Sequence, residues 1–309
     1  MRAVLEIVAP VFLIIALGFG AARWRMLDDA GFRGLNAFAF GLAAPALLFA
    51  GGTMGAGGGG RAALAFFLGA GVVYLVTLLL ARGRMPLGDA GMLALDASYG
   101  NTVMMGIPLI TAAFGPPALP VLLAILALHS MLLLGAATVV AEVALHATAP
   151  WRRVVRATLA GVARNPIVMA VAAALLWHLA GLPPPPGPVL RTLDLLGGAV
   201  APVSLFCLGG SLSGFRARGL WRQTALAAAL KLLALPVLVW LAAQAMALSP
   251  LETAVAVTAA AMPTGANAFL MAARYRISAE RSGATVLVST LLSVLTLSVL
   301  LLGWLRSSY

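Results

Sequence analysis

Gly41-Leu42-Ala43-Ala44-Pro45-Ala46-Leu47-Leu48-Phe49-Ala50-Gly51-Gly52 returns 157 residues later as Gly198-Ala199-Val200-Ala201-Pro202-Val203-Ser204-Leu205-Phe206-Cys207-Leu208-Gly209. Gly, Ala, Pro, Leu, Phe and Gly coincide in register, and the offset is half of a 309-residue chain. Duplicating an odd number of membrane spans sets the two halves upside down relative to each other. That architecture belongs mainly to secondary transporters, which use it to alternate access to a central site.

The composition supports spans. The chain is 62% hydrophobic and 9% charged, with mean hydropathy +1.04, too few charges to cover a soluble globule. Apolar runs of the length that crosses roughly 30 Å of hydrocarbon recur from end to end. The first, residues 5–22, lacks a small-residue cleavage site, and its arginines follow the run, so it reads as a retained span rather than a signal peptide. The single cysteine, Cys207, excludes an intrachain disulfide framework.

Ten spans are predicted: residues 5–22, 35–54, 62–81, 89–113, 118–145, 165–182, 189–213, 219–247, 251–273 and 282–305. The loops after the odd spans hold fifteen of the arginines: Arg23, Arg25, Arg33; Arg82, Arg84; Arg152, Arg153, Arg156, Arg164; Arg216, Arg218, Arg222; Arg274, Arg276, Arg281. The opposite side has Arg2, Arg61, Arg191 and Arg306. Positive charge marks the cytoplasmic side, so both termini are expected outside. The net charge of +11 thus sets topology, and with no basic soluble domain a nucleic-acid partner is not expected. The basic segment 146–164 divides a first repeat, residues 1–145, from a second, 165–309.

Two spans in corresponding places look broken. Span 4 carries Asp96-Ala97-Ser98-Tyr99-Gly100-Asn101-Thr102, with Pro108 beyond; span 9 carries Met262-Pro263-Thr264-Gly265-Ala266-Asn267. Gly100, Pro108 and Pro263 are the breakers: proline removes a donor and glycine relaxes the backbone. One isolated proline would read as a packing kink, but matched breaks beside Asn and Thr favour interruption. Non-helical backbone at this depth is tolerated only when buried in protein or lining a watery cavity. Each half-helix beginning there offers free amides and about +0.5 charge, so two such ends facing one cavity suit an anion, most naturally a carboxylate. The candidate substrate-binding set is Gly100, Asn101, Thr102, Pro263, Thr264, Gly265 and Asn267.

Ionisable groups within spans are few. Asp96 is a candidate for a coupling proton or cation; the alternative is a structural pair with Lys231 in span 8. His129 reads as a hydrogen-bonded core histidine. His178, Glu142, Asp89, Asp194 and Glu252 fall near span ends, where solvation explains them. No catalytic or metal-binding constellation stands out, and no cofactor is expected.

Tyr99-Gly100-Asn101-Thr102-Val103-Met104-Met105-Gly106-Ile107-Pro108 resembles the span-4 signature of the auxin efflux carrier family, whose bacterial members include transporters of malonate and other organic acids. Ala261-Met262-Pro263-Thr264-Gly265 resembles that family's span-9 crossover. The resemblance implies an all-α membrane protein of ten helices in a 5+5 inverted repeat with broken, crossing helices 4 and 9. It also implies a scaffold of spans 1, 2, 6 and 7, a moving bundle of spans 3–5 and 8–10, and in many members a homodimer through the scaffold. Asn101 matches the substrate-contacting asparagine and Pro263 the crossover proline. Plant members carry proline before the asparagine; Gly100 in its place implies a softer break. The short central loop argues against regulation through that loop and against auxin as substrate.

The expectation is a secondary transporter of a small organic anion in a bacterial inner membrane, working by an elevator-like displacement. A ligand sensor and an intramembrane enzyme are the alternatives.

Overall fold

The structure is a computed structural model and describes residues 2–53, 59–145, 166–215 and 221–307. The predicted 146–164 linker, its arginines, Arg216 and Arg218 lie outside the described residues. Fifteen α-helices are named in chain order. The first seven are α1 (Arg2–Arg23), α2 (Asp29–Phe38), α3 (Ala44–Thr53), α4 (Gly60–Ala81), α5 (Leu87–Ser98), α6 (Ile107–Phe114) and α7 (Leu119–Leu145). The others are α8 (Pro166–Leu179), α9 (Gly187–Gly198), α10 (Val200–Leu212), α11 (Trp221–Ala229), α12 (Leu235–Ala245), α13 (Pro250–Ala260), α14 (Ala266–Tyr275) and α15 (Ala279–Ser307). Three π-helical segments, Ala39–Ala43, Thr102–Gly106 and Leu230–Ala234, lead directly into α3, α6 and α12. Among the described residues there is no β-strand.

Helix ends follow from local chemistry. Asp28 caps α2 by accepting the Gly31 amide at 2.8 Å. Ser249 and Glu252 form a reciprocal capping box on α13, with Pro250 at its first position. Gly115, at φ +72°, stops α6.

Among the described residues, seven helical stretches are long and apolar enough to cross a membrane: Glu6–Arg23, Asp29–Thr53, Gly60–Ala81, Pro116–Leu145, Gly187–Leu212, Trp221–Ala245 and Ala279–Trp304. Among the described residues, the predicted spans 4, 6 and 9 hold no helix of that length. Span 6 is represented by Pro166–Leu179, and spans 4 and 9 are each interrupted. Large apolar side chains face outward along the long helices, such as Leu68, Leu75 and Leu79 of α4, which a water-facing helix would not sustain but a lipid-facing one requires.

Helix contacts position the site. α1 packs along α10 at backbone distance: a Cβ on Gly18 would lie 1.9 Å from the Phe206 carbonyl oxygen, and one on Gly209 would lie 1.9 Å from that of Ile15. α3 packs along α8, and a Cβ on Gly52 would stand 2.6 Å from that of Ala174. Gly52 and Gly209 are the same place in the duplicated stretch. Small residues at such crossings let helices approach where no hydrophobic force drives them together. α4 and α7 pack on both α5 and α13, the helices that lead into the two interruptions, and α12 packs on α13.

Candidate functional site: a crossing of two interrupted helices

α5 stops at Ser98 and α13 at Ala260, and beyond each the backbone becomes irregular. The two irregular pieces meet. The Asn101 amide donates to the Pro263 carbonyl at 2.8 Å and the Gly265 amide donates to the Tyr99 carbonyl at 3.0 Å, forming an antiparallel bridge of Gly100 with Thr264. Backbone groups freed by the breaks thereby satisfy each other, as buried polar groups must. Helix resumes at the π turn Thr102–Gly106 and at α14. Gly265 is dictated by close approach: a Cβ there would sit 2.8 Å from Cε1 of the Tyr99 ring and 3.0 Å from the Gly100 carbonyl oxygen.

A buried polar layer fixes this crossing. The Thr264 hydroxyl donates to the Asp96 carbonyl at 2.8 Å, and its amide donates to Ser289 Oγ at 3.0 Å. The Gly100 amide donates to His129 Nε2 at 3.3 Å. With Nε2 accepting, the neutral ring carries its hydrogen on Nδ1, which faces Thr102 Oγ1 at 3.4 Å. The Tyr99 ring lies 4.5 Å from the His129 ring, centre to centre, and its hydroxyl meets Ser130 Oγ and Asn267 Nδ2, both at 3.0 Å. His129 is a buried, hydrogen-bonded residue.

A cavity of about 1030 Å³ opens on one side of the crossing. Gly100, Asn101, Thr102, Gly265 and Asn267 line it, so five of the expected site residues share one wall. Pro263, Thr264, Pro108 and Asp96 do not line it. Successive residues of an extended segment face opposite ways, and Thr264 therefore turns into the polar layer. Pro108 sits buried in the first turn of α6, beyond the break. The first residues of both resumed helices, Thr102 to Met104 and Gly265 to Asn267, line the cavity; the first amides of a helix have no intrahelical acceptor, and that of Gly265 is taken by the Tyr99 carbonyl. Asn101 is 5% exposed, and its Nδ2 is a buried donor with no hydrogen-bond partner among the described residues.

Asp96 is fully buried, and its partner is not Lys231. Arg281 Nε stands 3.4 Å from Asp96 Oδ2, and Ser282 Oγ donates to the same oxygen at 3.0 Å. Arg281 also donates to the Asp89 carbonyl at 3.1 Å and to Gln223 Oε1 at 3.3 Å. It is 2% exposed inside α15, whereas the sequence placed it in a loop. Lys231, 0% exposed, donates instead to the carbonyl of Ala260. Three of the groups assigned to solvated span ends are also engaged: Asp89 accepts from Ser278, Glu142 from Tyr275, and Glu252 from the amide and hydroxyl of Ser249.

The opposite wall was not anticipated. It includes Phe32, Arg33 and Asn36 of α2 and the end of α10 at Ser211 and Ser213. Arg33 had been counted as a topology-setting loop residue, but it lies within α2 and brings a positive charge to the cavity. The signal available in sequence was its four-residue spacing from Asp29 on an amphipathic helix that begins before the apolar run.

These features describe a multi-pass membrane protein with a large cavity beside the crossing, and the comparisons agree on the membrane protein. The chain belongs to the auxin efflux carrier family: the family model described as membrane transport protein matches residues 3–301. A relative in Rhizobium meliloti (strain 1021), named "Putative malonate transporter", is 31% identical over 320 residues, spanning 97% of this chain and 96% of that protein.

Proposed function

We propose that the protein is a secondary transporter of a small organic anion, a mono- or dicarboxylate, bound where the two interrupted helices cross. The observation that carries this reading is the convergence of two helix N-termini and the unpartnered Asn101 amide on one cavity. The amides and dipoles supply fixed positive potential without a mobile counter-ion. The name of the Rhizobium relative supports a dicarboxylate such as malonate.

In this reading the interrupted segments complete ten spans, two inverted repeats of five divided at residues 146–164. The equivalent contacts of Gly52 with α8 and Gly209 with α1 support that symmetry. Spans 1, 2, 6 and 7 form the scaffold and carry the Arg33 wall. Spans 3–5 and 8–10 form the bundle that carries the crossing. The bundle slides past the scaffold, taking the anion with it, in a bacterial inner membrane with both termini outside. A homodimer through the scaffold fits this division.

The test is flux. Purified protein in liposomes is loaded with malonate and exchanged against labelled malonate. Asn101→Ala is expected to lower exchange at least ten-fold while eluting as folded protein; unchanged exchange would remove the site.

A further inference from the structure

Lys231 is left without an opposite charge beside the crossing. It lies in the π segment Leu230–Ala234, is 0% exposed, and donates to the carbonyl that ends α13. Among the described residues it forms no ion pair. The elements packed on its segment are α5, α11, α12 and α15. α5 presents Asp96, held by Arg281 and Ser282, and Asp89, which accepts from Ser278. α15 presents Arg281, with Glu280 exposed at its start. α11 carries only Arg222, which is exposed, and α12 has no ionisable residue. Across Gly100 stands His129, whose Nε2 accepts the Gly100 amide, and the Tyr99 ring lies tilted against that ring.

The ammonium packs against the crossing itself. A Cβ on Gly100 would lie 3.3 Å from Lys231 Nζ, and Gly100 lines the cavity. One glycine therefore separates the ammonium from the wall where a carboxylate would bind. With Asp96 and Arg281 neutralising each other, Lys231 is a buried charge without a counter-charge among the described residues.

We propose that Lys231 is the coupling group, loading one proton onto the bundle with each anion; this rests on the anion-transport reading above. A buried charge is tolerated only when paired. The loaded bundle pairs ammonium with carboxylate and can move. The empty bundle can move only after Lys231 becomes a neutral amine. At the loading face the amine takes one proton from a hydronium ion, leaving water, as the carboxylate enters. At the unloading face the carboxylate departs and the ammonium gives that proton back to water. No other bond forms or breaks.

The test uses the full-length protein in liposomes, labelled malonate as probe, and the membrane potential clamped. Two rates are read: malonate exchange at equal pH, and net uptake with and without an external pH one unit below the internal pH. For the wild-type protein the gradient is expected to raise net uptake several-fold, with one proton entering per malonate by an internal pH dye. Lys231→Met and Lys231→Gln are expected to lose the response to the gradient. Lys231→Arg, a permanent cation, is expected to lower the ratio of net uptake to exchange at least ten-fold. Gradient-independent uptake by the wild-type protein overturns the inference and leaves anion transport standing. So does a wild-type response in Lys231→Gln, or net uptake by Lys231→Arg matching wild type. Failure of the wild-type protein to exchange any of a panel of mono- and dicarboxylates sinks the transport reading itself.

Discussion

Arg281 Nε lies 3.4 Å from Asp96 Oδ2, joining the start of α15 to the last turn of α5 with both side chains almost wholly buried. Breaking a buried pair from one side leaves an uncompensated charge and costs about 3–5 kcal/mol, whereas replacing both members can be neutral. Asp96→Asn alone should therefore lower the thermal unfolding midpoint in detergent markedly. Adding Arg281→Met should recover part of that loss. A double variant no more stable than Asp96→Asn would show that the pair is not coupled.

The α1–α10 contact makes a sharper stability prediction. At Gly209 a single methyl would meet the Ile15 carbonyl oxygen at 1.9 Å, so backbone must move. Overpacking of this kind costs roughly 1–3 kcal/mol or more. Gly209→Ala and Gly18→Ala should each reduce the yield of monodisperse protein and its melting midpoint. Gly71→Ala is the control: nothing lies within 4 Å of its added Cβ, and alanine is worth up to about 1 kcal/mol over glycine in a helix. It should be neutral or stabilising, and the contrast is read in one thermal-shift series.

The parts of this structure that sequence revealed are those written in local chemistry. Paired breakers beside Asn101 and Asn267 located the interruptions, because backbone disruption is set by the residue that causes it. The π segments Ala39–Ala43 and Leu230–Ala234 were invisible, because one inserted residue per turn leaves the hydrophobic pattern nearly unchanged. Arg281 was misplaced for a different reason. Charge near a span end reads as a solvated loop, and only tertiary packing shows that α15 begins early enough to carry it inward. Asp96 reads from sequence as a buried carboxylate for a coupling ion or for a pair with Lys231 of span 8; the pair it makes is with Arg281 of span 10, because sequence ranks partners by depth and cannot rank them by direction. Thr264 and Pro263 joined Asn267 in one motif, yet the alternation of extended backbone sends Thr264 behind the wall that Asn267 lines.

Arg33 should act on capture rather than on translocation. It is exposed within α2 and lines the cavity beside Asn36. A cation in a low-dielectric cleft raises the local concentration of anions, an effect that salt screens over about 8–10 Å. Arg33→Gln should raise the KM for malonate several-fold at low ionic strength while changing the maximal rate little. The difference should shrink in 0.5 M salt, and Arg33→Lys should restore most of it. A fall in maximal rate at unchanged KM would place Arg33 in the motion instead.

Gly265 links the shape of the crossing to the cavity. Any side chain there must displace the Tyr99 ring, whose Cε1 would stand 2.8 Å from the new Cβ. Tyr99 cannot withdraw freely, because its ring packs at a tilt against His129 and its hydroxyl engages Ser130 and Asn267. The strain therefore falls on the hydrogen bond from the Gly265 amide to the Tyr99 carbonyl, one of the two that join the crossing. Gly265→Ala should weaken malonate binding by ten-fold or more and lower the melting midpoint. Gly265→Ala combined with Tyr99→Leu, which removes the obstructing aromatic edge, should regain stability but not binding, since Asn267 loses its partner hydroxyl. Isothermal titration and thermal unfolding on the same preparations separate the two effects. A single variant that binds malonate like wild type would show that the crossing tolerates displacement and that the anion does not depend on its geometry.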